Sequence, residues 1–167
     1  FKAHDGTMVI DTADDFGRYI AYNTWQAKPI VGTEGLAAGG WSEVIERWGA
    51  AQLQARFEAL SGRSRRADDY AAWAAMRSVG EAVTRTGSAE AATLRSYMLS
   101  DQFELAGFKG RALSYRDWNG QLRQPIPLVT DRAIVAIAPL PGFLHQQTEL
   151  DTLGLDRFES RCQAFQP

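Results

Sequence analysis

The sequence predicts an α/β fold, and three observations carry that prediction. "TMVID" at 7–11 and "KPIVG" at 28–32 are short apolar runs flanking a helical stretch, the order of a βαβ unit with parallel strands. Residues 41–100 repeat apolar positions every three or four residues. Beyond residue 100 the period falls to two, and the β-branched segments "PIPLV" and "AIVAIA" follow.

The elements read in order as follows. The strand 7–11 runs into "TADD", where Thr12 or Asp14 caps a short helix with Phe16, Tyr19, Ile20 and Tyr22 as apolar positions. The second strand begins at Pro29, where the missing N–H is tolerated. "TEGLAAGG", 33–40, is a small-residue loop at its carboxyl end. Ligands of open α/β sheets bind at the carboxyl ends of strands, so this loop and "TADD" are expected on one side of the sheet.

A helix is predicted from Trp41 to Leu60, with Ile45, Trp48, Leu53, Phe57 and Leu60 near one face and Gly62 as its stop. A second runs from Asp68, its expected N-cap, to Thr86, with Tyr70, Trp73, Met76, Val79 and Val83 as its stripe. A third spans Ser88 to Ser100 and carries Leu94, Tyr97 and Met98. Asn119-Gly120 then predicts a two-residue hairpin turn, because both turn positions must tolerate positive φ. Pro125 and Pro127 argue against a central strand and for an edge or crossover, which leaves "AIVAIA" as the better buried strand. Residues 141–167 show little periodicity and are expected to wrap the surface.

The chain has 167 residues, 45% hydrophobic and 23% charged, an ordinary globular composition that argues against disorder. A net charge of -2 gives no reason to expect nucleic acid or an anionic membrane as partner. "RSRR" at 63–66 reads as a solvated loop between helices, with an anion contact as the alternative. The lone Cys162 allows no internal disulfide. No apolar run approaches the ~20 residues that span a bilayer, and no signal peptide is evident. Phe at position 1, close before a strand, reads as a processed or truncated start.

Catalytic motifs are absent from the sequence. His4 and His145 have no helically spaced metal partner, no Gly-x-Ser-x-Gly or P-loop occurs, and "GFKGRA" does not run from a strand into a helix. The reading is therefore a protein that is not an enzyme and carries no cofactor. Asp11, Asp14 and Asp15 cluster where a strand meets a helix; they either cap that helix or form a ligand-facing edge.

"IVGTEGL", "DDYAAWAAMRSVGEAVTRTGS" and "FKGRALSYRDWNGQLRQPIPLV", in that order, resemble the C-terminal half of a type I periplasmic solute-binding protein, the branched-chain amino acid-binding kind that serves ABC transporters. "DFGRYIAYNTW", "ERWGAAQLQARF", "GFLH" and "TELDTLGLDRFESRC" extend the resemblance to the branch associated with PQQ-dependent alcohol oxidation. The resemblance implies a two-lobed fold of parallel sheets with helices on both faces. Residues 1–40 would belong to the second lobe, 41–124 to the first, and 125–167 would form the crossover, a second-lobe strand and the tail. It implies a periplasmic location and, as partners, a small-molecule solute, an ABC transporter permease and the first half of the same protein. For ligand binding it points to Glu34 first, then Asp14 and Asp11, with Gly35 allowing close approach. Asp15 and Tyr22 stand behind these, and for Tyr22 and Trp41 core packing is the competing role. A ligandless interaction protein on the same fold, or a receptor for calcium or a lanthanide, is the alternative. Cys162 would then be available for a disulfide to the first half.

Overall fold

A computed structural model describes residues 3–13, 15–33 and 35–165. It is a mixed α/β structure of four helices and three small sheets. The first sheet pairs β1 (Thr7–Val9) with β2 (Ile30–Gly32) in parallel, in register Thr7 to Ile30 and Val9 to Gly32. The connection is α1 (Gly17–Ile20), extended by one 3₁₀ turn over Ala21–Asn23. The expected βαβ unit is therefore present, with strands shorter than predicted.

β3 (Ala37–Ala38) leads into a run of turns, and α2 spans Ala50–Ser61. The helix predicted from Trp41 starts nine residues late. Trp48 and Gly49 both sit at positive φ, 57° and 81°, which no right-handed helix passes through. α3 (Ala67–Thr86) matches its prediction closely and stops at Gly87, φ 64°. Its cap is Arg66, however, and not Asp68. Asp69 accepts the Arg66 amide at 2.9 Å and holds Arg63 through two further bonds of 2.6 and 2.8 Å.

The packing face of α3 also differs from the prediction. The buried residues are Tyr70, Ala74, Ser78 and Ala82, a row four residues apart and mostly small, while Met76, Val79 and Val83 face outward. Small side chains let the neighbouring hairpin come close, and Ser78 Oγ lies 2.9 Å from the Tyr115 hydroxyl. α4 (Ala91–Met98) begins after Glu90; Ser88 instead accepts the Glu90 amide at 3.1 Å.

β4 (Leu105–Ala106), β5 (Ala112–Tyr115) and β6 (Leu122–Arg123) form an antiparallel meander. Its second turn is longer than Asn-Gly predicts. Arg116 N–H donates to Gln121 O at 2.9 Å and Gly120 N–H to Arg116 O at 2.8 Å, so residues 117–120 form the loop, with Gly120 at φ 69° closing it. β7 (Ile126–Val129) is the middle strand between β3 and β8 (Ile134–Ala138), not an edge. Pro127 is tolerated because a strand residue points N–H and C=O to the same side. Its C=O accepts from Gly39 at 3.4 Å, so its missing donor faces the side where the two-residue β3 has already ended. β8 is half-buried and folds back antiparallel on β7.

The core lies between α2, α3 and the meander. Trp41, Leu53, Tyr70, Phe103, Leu105 and Leu113 are buried in it, and Trp41 stacks on Tyr70 with centroids 5.0 Å apart. Trp41 Nε1 donates to Gln54 Oε1 at 3.0 Å, so packing is its role. The "RSRR" segment is only partly solvated. Arg65 is buried with its guanidinium 4.9 to 5.7 Å from the Phe57, Trp73 and Trp41 rings.

The chain keeps 11443 Å² of accessible surface, against about 8,200 Å² for a compact 18.5 kDa monomer. Large apolar residues are among those exposed, including Met8, Ile10, Tyr22, Val31 and Phe158.

Candidate functional site

The carboxyl ends of β1 and β2 bring two turns together, as the strand order predicts. Thr33 N–H donates to Val9 O at 3.2 Å, and Gly35 N–H donates to Asp11 O at 2.5 Å. Asp11 N–H in turn donates to Thr33 Oγ1 at 3.3 Å. Thr33 and Gly35 are thereby tied to residues 9–11 as one rim. Gly35 sits at φ 71°, a conformation that glycine adopts without strain.

Asp11 serves the rim from inside. It is 4% exposed, and Oδ2 accepts the amides of Phe16 and Gly17 at 2.8 and 2.7 Å. Those bonds, Gly17's first, hold its carboxyl below the usual value against the opposing effect of burial. It ties the strand end to the start of α1, the capping role weighed from sequence. Asp15 is exposed beside it, and Tyr22 stands 87% exposed on the 3₁₀ turn after α1. Asp14 and Glu34 lie outside the described residues. Ile10, Phe16, Tyr19 and Leu36, in or near these segments in sequence, are exposed.

A second concave site was not foreseen. Two tight loops interlock near the core. One holds Trp48 and Gly49; the other, between β4 and β5, holds Phe108 at φ 56° and Gly110 at φ 79°. A Cβ on Gly110 would meet the Trp48 ring at 2.6 Å, and one on Gly49 would meet the Phe108 ring at 3.0 Å. Positive φ at two aromatic residues costs of order 1 kcal/mol or more each, so the mutual packing must hold them there.

Between the two left-handed residues sits Lys109, 4% exposed. Its Nζ donates to Gln124 Oε1 at 2.6 Å and to Pro125 O at 3.2 Å, and lies 4.5 Å from the centre of the Tyr70 ring. A cavity of about 350 Å³ opens beside it, walled by Trp48, Ile137 and Leu144, with the Arg111–Glu149 ion pair at its edge. Burial pushes the Lys109 amine down from 10.5 to about 7. The sequence signal was "GFKGR", a lysine between two glycines next to an aromatic residue, and comparison with phosphate-binding motifs alone passes over it.

A pH dependence follows with a definite sign. The folded amine titrates lower than the unfolded one, so between about pH 7 and 10 the unfolded chain binds more protons and stability rises with pH. The slope from this group reaches about 1.4 kcal/mol per pH unit at most. Lys109→Met removes that slope. Urea unfolding of both proteins at pH 7 and pH 9 measures it; equal pH slopes would show an unperturbed lysine.

Among known proteins, no family model matches the chain, and neither a curated protein nor a solved structure matches it.

Proposed function

We propose that the chain is the later portion of a periplasmic solute-binding protein of an ABC importer, of the branch linked to PQQ-dependent alcohol metabolism, and that it holds a small solute between two lobes without catalysis. The observation that carries this reading is the rim itself: two turns at the carboxyl ends of parallel strands, joined by the Gly35–Asp11 and Thr33–Val9 backbone bonds. Glu34 and Asp14, to which the resemblance points, lie outside the described residues but adjoin these turns in sequence, and two carboxylates would suit an ammonium-bearing solute. The large accessible surface supports a first half that covers the exposed apolar residues. Solute closes the two lobes, and the permease reads the closed population.

The test is thermal shift of the full-length protein against amino acids, alcohol-derived acids, PQQ, calcium and lanthanide ions. One small ligand at a hundred times its Kd should stabilise by about 2.7 kcal/mol. Glu34→Gln should remove that shift while leaving the unliganded midpoint in place. A flat response across the panel overturns the solute reading. The exposure of Ile10, Phe16, Tyr19 and Leu36 favours one alternative, a ligandless protein that contacts a dehydrogenase or permease near this rim. Co-purification with such a partner, together with the flat panel, is its expected signature. A shift confined to calcium or a lanthanide would assign the site to a metal ion.

A further inference from the structure

A chain with fifteen arginines has three lysines, and one of those is buried. At two other buried positions, 65 and 116, the chain places arginine. The difference is chemical: a guanidinium stays charged and is not a nucleophile, whereas a desolvated amine loses its proton and becomes one. Burial is the cause of the lowered Lys109 value.

The surroundings of Lys109 suit an amine held for reaction. Its backbone is fixed between Phe108 and Gly110, and its Nζ is anchored by Gln124 and the Pro125 carbonyl. Lys109 and Pro125 both line the cavity of about 350 Å³, so the anchored amine belongs to a residue of its wall. The walls are an indole and aliphatic side chains, and the rim charges Arg111 and Glu149 neutralise each other. Such a space favours a neutral, apolar ligand of modest size.

We propose that this cavity takes a small aldehyde with an apolar body and that Lys109 Nζ condenses with it as a reversible Schiff base. The amine lone pair attacks the carbonyl carbon, a C–N bond forms, and a proton passes from nitrogen to the carbonyl oxygen. The carbinolamine loses its hydroxyl together with the second N–H proton as water, which leaves a C=N bond. Nothing is oxidised or reduced, and hydrolysis returns both partners. The site is distinct from the rim at Asp11 and Gly35, so this inference stands apart from the solute-binding reading.

Trapping tests it. The protein is incubated with benzaldehyde at neutral pH and reduced with sodium borohydride, and the benzylated lysines are mapped by peptide mass spectrometry. Lys28, half-buried in the segment before β2, serves as internal reference in the same chain. Lys109 is expected to carry at least about tenfold more benzyl adduct than Lys28, because the apolar cavity holds the aromatic ring beside its desolvated amine. Glyceraldehyde, a polar aldehyde, should show no such preference. Leu144→Asp, at a wall residue that is 46% exposed and so outside the core, should lower labelling at Lys109 and leave Lys28 unchanged. Labelling of Lys109 at or below Lys28 overturns the proposal. So does an equal preference for both aldehydes, which would mean a reactive amine without a recognising cavity.

Discussion

Arg116→Ala is expected to cost 3–5 kcal/mol of stability, roughly what breaking a buried ion pair from one side costs. Arg116 is 1% exposed, yet every nitrogen of its guanidinium is used. Nε donates to Asp151 Oδ1 at 2.8 Å. Nη1 reaches Gln121 Oε1 at 2.7 Å and Leu155 O at 3.0 Å. Nη2 reaches the carbonyls of Leu153, Asp151 and Leu150 at 2.8, 3.1 and 3.4 Å. One side chain from the 117–120 loop's base thus collects the acceptors of a tail segment that has little regular structure of its own. Alanine removes the donor from all of these acceptors, the buried Asp151 carbonyl among them, and leaves the Asp151 carboxylate with Arg123 alone, at 2.7 Å.

The same cluster sets the acid limit of the tail. Burial works to raise the Asp151 carboxyl, but hydrogen bonds from Arg123 and then Arg116 outweigh it, and the net shift is down. A depressed carboxyl contributes stability that is present above its unfolded value near 3.8 and is lost as pH falls through the lower folded value. Urea unfolding of Arg116→Ala and Arg116→Lys at pH 7, with limited proteolysis, measures the clamp. Lysine should rescue little, because a point charge cannot replace a fork with five donors. Cleavage should appear first between 149 and 165. A loss under about 1 kcal/mol, with an unchanged cleavage pattern, would show that the tail is held elsewhere.

What was legible in the sequence was local. α3 could be bounded within a residue, since a twenty-residue helix ending in Arg-Thr-Gly carries its own stop. The parallel pairing of β1 and β2 could be read from strand–helix–strand order, and Asp11 as a cap from its place before the helix. The misses arise where distant residues decide. α2 starts late because Trp48 is held left-handed by the loop around Gly110, sixty residues away. Pro127 lies mid-sheet because β3 is only two residues long. Of the apolar stripe of α3 only Tyr70 joins the buried i, i+4 row, which is otherwise small, while Met76, Val79 and Val83 are exposed. Arg116 carries no local signal, and the glycines beside Lys109 mark a tight turn without showing that the lysine is buried. Their neighbours Asp151 and Gln124 are 35 and 15 residues distant, and no local pattern announces a buried cation.

Gly32→Ala is expected to disrupt the β1–β2 pair and, with it, the rim. A Cβ at position 32 would lie 1.7 Å from Val9 O and 2.7 Å from Val9 C. Both obstacles are backbone, so no side-chain rotation relieves them, and Val9 is itself the register partner of Gly32. Overpacking a core side chain costs typically 1–3 kcal/mol; a clash with the carbonyl of a paired strand belongs at or above the upper end. The damage should be local. The core formed by α2, α3 and the meander contains no residue from β1 or β2, so its amides should keep their hydrogen-exchange protection while residues 7–11 and 30–33 lose theirs. Ligand-induced thermal shift at the rim should vanish in the same variant, whereas aldehyde trapping at Lys109 should persist. Protection retained across 7–11 would mean that the strands separate to admit the methyl group, and the tight parallel pairing on which the rim depends would have to be abandoned.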